Sequence, residues 1–260
     1  PRAVVRIFIR ESHEPKREKR EKFLPSRRVC YNPLMKKLFL LFILISFNSV
    51  SAQAFTLSNF EGPESFIVDP EDGSYYVSNV NGAALEKDGN GYISKISANS
   101  NVAIQKFIGG KEAVLNAPKG LLIVAENLFV TDIDMVKGFD KKTGKSTITI
   151  DVTPFGAKFL NDITVDSRGL LYVSDMGTNR IFKIDPSKNY EVSVFLESKE
   201  LRSPNGLKFN PKTKQLMIVT WEGGEILEID RSGKIHALKK GLKGLDGLDY
   251  DLRGNLYVSS

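Results

Sequence analysis

Leu160-Asn-Asp-Ile-Thr-Val-Asp166 followed by Leu171-Tyr-Val-Ser-Asp175 is the stretch that decides the fold. Two runs rich in β-branched and aromatic residues flank Ser167-Arg-Gly169, the composition of a turn joining antiparallel strands. The same phrase recurs on either side. Upstream lie Pro63-Glu-Ser-Phe-Ile-Val-Asp69 with Tyr75-Tyr-Val-Ser-Asn79, and Pro118-Lys-Gly-Leu-Leu-Ile-Val124 with Leu128-Phe-Val-Thr-Asp132. Downstream lie Pro204-Asn-Gly-Leu-Lys-Phe-Asn210 with Met217-Ile-Val-Thr-Trp221, and Leu245-Asp-Gly-Leu-Asp-Tyr-Asp251 with Leu256-Tyr-Val-Ser-Ser260. The starts are 55, 42, 44 and 41 residues apart. Four-stranded propeller blades repeat every ~40–50 residues, whereas leucine-rich and hexapeptide solenoids repeat at much shorter periods.

Two further short runs follow each pair, as in Arg180–Asp185 and Tyr190–Phe195, so each unit supplies a blade. The expected fold is an all-β propeller domain over residues 55–260. The fifth unit reaches Ser260 with two strands only, so about four and a half blades of a C-terminally truncated propeller are expected. The long first spacing places an insertion near Asn81–Gly91, where Lys87-Asp-Gly-Asn-Gly91 is dense in turn formers.

The charge is unevenly spread. The chain of 260 residues has 37 Lys+Arg against 31 Asp+Glu, a net of +6. Residues 1–54 hold 12 and 4 of these, leaving the body with a net of −2. No basic stripe remains there, so nucleic acid is not an expected partner. Cys30 and His13 also lie before residue 55, and His236 is the body's one histidine. That excludes a disulfide scaffold, a cysteine nucleophile and a multi-histidine metal site from the body. Thr143-Gly-Lys-Ser146 resembles the end of a phosphate loop, but Phe139 occupies the leading glycine position. His236 is expected on an outer strand, away from any chemistry.

Met35 to Ala54 reads as a secretory signal peptide: Met35-Lys-Lys37, an apolar run from Leu38 to Phe47, and Ala52-Gln-Ala54. The run is too short for a bilayer core needing ~20 residues. Residues 1–34 are charged and mixed in sign, upstream of Met35 or a disordered tail. The mature chain is expected to be secreted or periplasmic. No cysteine follows Ala54, so no stable membrane anchor is expected.

Equivalent positions of successive blades face one channel. The second residue of each opening dipeptide is Glu64, Lys119, Asn161, Asn205 and Asp246. Two carboxylates and two amides are hard oxygen donors of the kind that Ca²⁺ takes. Asn-Gly and Asp-Gly also make turns, which accounts for Asn205-Gly206 and Asp246-Gly247 but not for Glu64. Antiparallel pairing brings the second-strand ends Asn79, Asp132, Asp175 and Trp221 toward the same opening, as a candidate substrate rim.

These residues resemble the gluconolactonase family, which includes senescence marker protein 30 and luciferin-regenerating enzyme. Ser203-Pro-Asn205-Gly-Leu207, Leu245-Asp246-Gly-Leu248 and Phe159-Leu-Asn161-Asp162 match its Asn-Gly, Asp-Gly and Asn-Asp motifs in order and spacing. Glu61-Gly-Pro63 matches the family's Glu-Gly-Pro as a string, whereas the internal register puts the family's glutamate on Glu64. Register selects Glu64, with Glu61 second. The resemblance implies six blades and one divalent cation, Ca²⁺ or another, held by Glu64, Asn205 and Asp246 with Asn161 beside it. It further implies an exported hydrolase of a small lactone or related ester. Asn161 would orient water or substrate, and Asp246 or a metal-bound water would act as base. Phe159 stands where sugar-lactonase members carry arginine, so a sugar lactone is not specified. The rival expectation is a non-catalytic propeller of the NHL type, binding a ligand or protein through its top face. Oligomeric state is left open.

Overall fold

The computed structural model describes residues 3–8, 54–98, 103–210 and 212–260. Strands β1 (Ala3–Phe8) and β2 (Ala54–Phe60) precede the blades. The rest of the upstream segment and of the leader ending at Ala54 lies outside the described residues. All blades belong to the unit Leu57–Ser260.

Each of the first four recurring phrases opens a four-stranded antiparallel sheet in simple up-and-down order. Blade 1 is β3 (Pro63–Val68), β4 (Tyr75–Asn79), β5 (Tyr92–Ile96) and β6 (Ala103–Gly109). Blade 2 is β7 (Pro118–Val124), β8 (Asn127–Asp132), β9 (Met135–Asp140) and β10 (Ser146–Asp151). Blade 3 is β11 (Leu160–Val165), β12 (Leu171–Asp175), β13 (Arg180–Asp185) and β14 (Glu191–Glu197). Blade 4 is β15 (Pro204–Asn210), β16 (Gln215–Thr220), β17 (Ile226–Ile229) and β18 (Ile235–Lys239). The fifth unit contributes β19 (Leu248–Tyr250) and β20 (Leu256–Val258). The chain is an all-β propeller. First strands of successive blades adjoin in the order β3, β7, β11, β15, β19. Asn81–Gly91 is the long β4–β5 loop, and Thr143–Ser146 falls at the β9–β10 turn, as read.

The core lies between blades. Tyr76, Ile93 and Ile108 of blade 1 pack on Leu121, Leu128 and Phe139 of blade 2. Phe129 and Ile150 meet Val173 and Phe182 at the next junction, and Ile181 meets Ile218 and Leu227 at the third. Strands β4, β8 and β12 are therefore buried on both faces, which is why they do not alternate between apolar and exposed positions.

A bulge marks the start of the first strand in blades 1 to 4. Register slips between Pro63 and Phe66, Pro118 and Leu121, Leu160 and Ile163, and Pro204 and Leu207. Bulges bend a strand and re-aim its side chains. Here they carry the pairs Glu64-Ser65, Lys119-Gly120, Asn161-Asp162 and Asn205-Gly206.

A hydroxyl on the second strand of blades 1 to 3 then ties the bulge to the next blade. Ser78, Thr131 and Ser174 accept the N–H of Ser65, Gly120 and Asp162 at 2.9–3.0 Å. The same hydroxyls donate to the carbonyls of Lys119, Asn161 and Asn205 at 2.5–2.6 Å. Blade 4 has Val219 at this place, and Gly206 N–H donates directly to the Asp246 carbonyl at 2.8 Å. Ser174→Ala strands two buried backbone groups, each worth ~1–3 kcal/mol. Its thermal midpoint should fall by several degrees in calorimetry; a shift within one degree would show that the clamp carries no stability.

Candidate functional site

The bulged residues meet around a cavity of about 480 Å³. Glu64, Lys119, Asn161, Asn205 and Asp246 all line it, as the register expected, and Asp162 joins them. Glu61 lies outside the lining, exposed, where together with burial it raises the Tyr92 hydroxyl.

Asn205 is deeply buried and holds its neighbour Asp246. It is 3% exposed, and its Nδ2 donates to Asp246 Oδ1 at 3.0 Å. Its Oδ1 is buried without a hydrogen-bond partner. Such a group costs stability unless something else accepts or coordinates it. Asn161, also buried, sends its Nδ2 to Met176 Sδ at 3.2 Å, a weak acceptor.

The carboxylates crowd one another. Glu64 stands at the open side of the cavity, yet burial of its carboxyl and the charge of Asp246 lift its pKa to about 7. Lys119 opposes the rise and Asp162 adds to it. Asp162, enclosed by the cavity wall, is lifted by burial to about 6, although its two oxygens accept the N–H groups of Leu207 at 2.9 Å and Ile163 at 2.8 Å. Sequence reading missed Asp162. Strict strand alternation would turn it away from Asn161, and only the bulge brings both to the cavity.

Lys119 is 1% exposed. Its Nζ donates to the carbonyls of Ala84 and Ala117 at 2.9 Å and lies 4.8 Å from the Phe159 ring centre. Burial pulls its pKa down to about 8 against the pull of Glu64 and Asp132.

The rim reading is corrected. Asn79, Asp132 and Asp175 are fully buried and do not line the cavity. Asn79 accepts the Glu61 N–H, Asp132 those of Asn116 and Ala117, and Asp175 those of Lys158 and Phe159. Asp132 also binds Lys137 at 2.7 Å, and Asp175 takes Gly177 N–H and the Thr178 hydroxyl. These residues cap the segment entering each first strand, so their oxygens are spent on the fold. Trp221 is not their counterpart. Thr220 pairs with Pro204, as Asp175 does with Leu160, and Trp221 stands one residue beyond at 48% exposure. His236 lies on outer strand β18, paired with Glu228.

Among the described residues no three His, Cys, Asp or Glu side chains form a metal cluster, and no helix is long and apolar enough to cross a membrane. The candidate ligands are instead mixed, the carboxylates of Glu64 and Asp246 with the amides of Asn161 and Asn205. It fits a hard divalent cation on two counts: the unpartnered Asn205 Oδ1 supplies a neutral oxygen, and mutual repulsion of Glu64 and Asp246 is what a cation relieves.

No family model and no curated protein sequence matches the chain. Solved structures do. Virginiamycin B lyase from Staphylococcus aureus, solved with quinupristin, superposes with a TM-score of 0.61 at 16% identity, over 81% of this chain and 68% of that one. A streptogramin B lyase structure gives 0.61 at 16%, covering 80% and 66%. A chain of a nidogen–laminin complex gives 0.65 at 20%, covering 82% and 77%. The similar structures thus include both an enzyme and a component of a protein complex, and what the chain shares with them is the β-propeller fold.

Proposed function

We propose that the cavity holds one divalent cation, Ca²⁺ by preference, and that the protein hydrolyses a lactone or related ester there. The observation that carries this reading is the buried, unpartnered Asn205 Oδ1 beside Asp246, in the same lining as Glu64. Glu64, Asn205 and Asp246 would hold the ion, with Asn161 next to them. A bound cation supplies Lewis-acid polarisation of a carbonyl and stabilises developing oxyanion charge. Asn161 would then orient substrate or water through its amide, and Asp246 would take a proton from the attacking water. The sequence resemblance to gluconolactonases, with secretion by way of the Met35–Ala54 leader, agrees with this reading.

Full-length protein should open γ-butyrolactone in the presence of calcium, lose that activity in EDTA, and regain it on calcium return. The likeness to a chain of a nidogen–laminin complex favours the second reading, a propeller that binds without catalysis. Calcium-independent ligand binding with no hydrolysis would select it.

Cation affinity should depend on pH through Glu64. Its pKa of about 7 reflects burial, Asp246 and Asp162, with Lys119 opposing. Calcium binds the ionised form, so affinity should fall as pH drops below about 7, approaching tenfold per unit. Without calcium the linkage runs the other way. A carboxylate with a raised pKa loses stability as pH climbs from about 4.5 to 7, because the folded state binds the proton more tightly. Calcium titrations at pH 6 and 8 with equal affinity would contradict the assignment of Glu64.

A further inference from the structure

The junctions between the four complete blades are finished differently at the strand ends away from the cation cavity. At the first, Tyr76 pairs with Lys95 and packs on Phe107. The space there is filled by Lys141 of the β9–β10 turn, which is 1% exposed. Its carbonyl accepts the Tyr76 hydroxyl at 2.6 Å and the Lys95 ammonium at 3.3 Å. Its own ammonium reaches Asp69 at 3.2 Å and Glu71 at 2.8 Å. At the second junction Phe129 stands opposite Gly138, and Tyr190 packs on the Phe129 ring at 6.2 Å. At the third, Tyr172 pairs with Lys183 and packs edge-on against Phe195 at 5.1 Å, repeating the first. Here the β17–β18 turn is one residue shorter, closing from Asp230 N–H to the Lys234 carbonyl where blade 2 closes from Asp140 to Lys145. Arg231, in the place of Lys141, is exposed, and a cavity of about 190 Å³ remains.

The charge around this cavity is unbalanced. Lys183, Lys214 and Arg231 line it, and among the described residues none of these three side chains makes a hydrogen bond or an ion pair. The nearby carboxylates are committed elsewhere. Asp166 is gripped by Arg168 through Nε at 2.9 Å and Nη2 at 2.7 Å. Asp230 accepts the N–H groups of Ser232 and Lys234 and the Ser232 hydroxyl. Asp185 feels the Lys183 charge, but its Oδ1 takes the Ser187 N–H and hydroxyl. Lys214 also stands where blade 2 has Glu126, so the sign at that place is reversed. The apolar lining is Tyr172, Leu216 and Ile229, all buried, with Phe195 and Phe209 half-buried.

We propose that this cavity between blades 3 and 4 binds a small organic anion, a single carboxylate on a flat aromatic body. The carboxylate takes the part that the Lys141 carbonyl plays at the first junction, accepting from Lys183. That bond is charge-assisted, about twice as strong as one between neutral groups. The ring packs on Phe195 and Phe209, whose faces favour offset or edge-on aromatic contacts. A volume of about 190 Å³ lies below the ~300–1,000 Å³ of pockets for drug-sized ligands, so the ligand is one ring and not a nucleotide. The site is independent of the cation reading. It is built from the ends of first strands and the turns that follow them, whereas Glu64, Asn205 and Asp246 sit at first-strand starts.

The test pairs ligands that differ in charge or in the ring. Full-length protein in EDTA, which keeps cations off the carboxylates of the other cavity, is titrated by calorimetry with benzoate, benzamide and acetate. Benzoate should bind at least about tenfold more tightly than either of the others. Lys183→Met should bring the benzoate-to-benzamide ratio near one, and Lys183→Arg should restore part of it. Lys95→Met, the same change at the filled junction, should leave the ratio within about twofold. In wild-type protein the NMR shifts caused by benzoate should centre on Lys183, Phe195 and Phe209. No preference for benzoate over benzamide in the wild type, or shifts confined to other surfaces, overturns the proposal whether or not the variants fold. So does a preference that survives Lys183→Met. Acetate binding as tightly as benzoate also overturns it, since the rings would then add nothing.

Discussion

Glu64→Gln and Asp246→Asn are each expected to lower calcium affinity about a hundredfold or more, and lactone hydrolysis with it. Each substitution keeps shape and one oxygen donor but removes a formal charge, and calcium affinity is set largely by ligand charge. The two losses have different secondary signatures. Glu64→Gln also removes the main counter-charge of Lys119, so the Lys119 amine should titrate lower still. Asp246→Asn replaces the acceptor of the Asn205 Nδ2 bond with an amide, so the side chain must turn its oxygen toward Asn205 to keep that contact. Glu61→Gln is the control. Glu61 lies outside the cavity lining, and its substitution should change affinity by less than about twofold. Isothermal titration of the three variants separates the two glutamates: damage from Glu61→Gln with none from Glu64→Gln would reverse the assignment.

Gly206→Ala is expected to be strongly damaging to both stability and the site. A Cβ at Gly206 would lie 2.5 Å from the Asp246 carbonyl oxygen, 2.9 Å from Gly247 Cα and 3.1 Å from Leu248 Cδ2. Two of these are backbone, which cannot rotate aside. The strands of blades 4 and 5 must separate, and separation breaks the Gly206 N–H bond to Asp246. Overpacking costs typically ~1–3 kcal/mol and the broken buried bond adds ~1–3 more. Asp246 is also carried away from Asn205. Thermal unfolding should show a midpoint lower by ten degrees or so, and calcium binding should be lost in whatever fraction stays folded. A variant with an unchanged midpoint and unchanged calcium affinity would mean that the junction adapts freely.

The blade pattern was legible because it rests on strand composition and a fixed spacing, both carried by the chain itself. The register argument likewise found the cavity residues: five dipeptides separated by 41 to 55 residues deliver five side chains to one lining. Register also placed Glu64 rather than Glu61 there, against the literal string. What sequence could not reveal is the bulge at the first strand of blades 1 to 4, since a one-residue mismatch in pairing is a relation between two strands. Asp162 was missed for that reason. The rim was misread for another. Asp132 and Asp175 look like open carboxylates at strand ends, but the backbone N–H groups entering each blade have no ladder partner and take those oxygens. Trp221 was placed by its position after Val-Thr, whereas pairing makes Thr220 the end of β16.

The central claim is a cation held by Glu64, Asn205 and Asp246, and the most direct measurement is a calcium titration of the full-length wild-type chain at pH 8 by calorimetry. One saturable site per chain, lost in Asp246→Asn, is the predicted result; no heat of binding, and no calcium retained after dialysis, would contradict it.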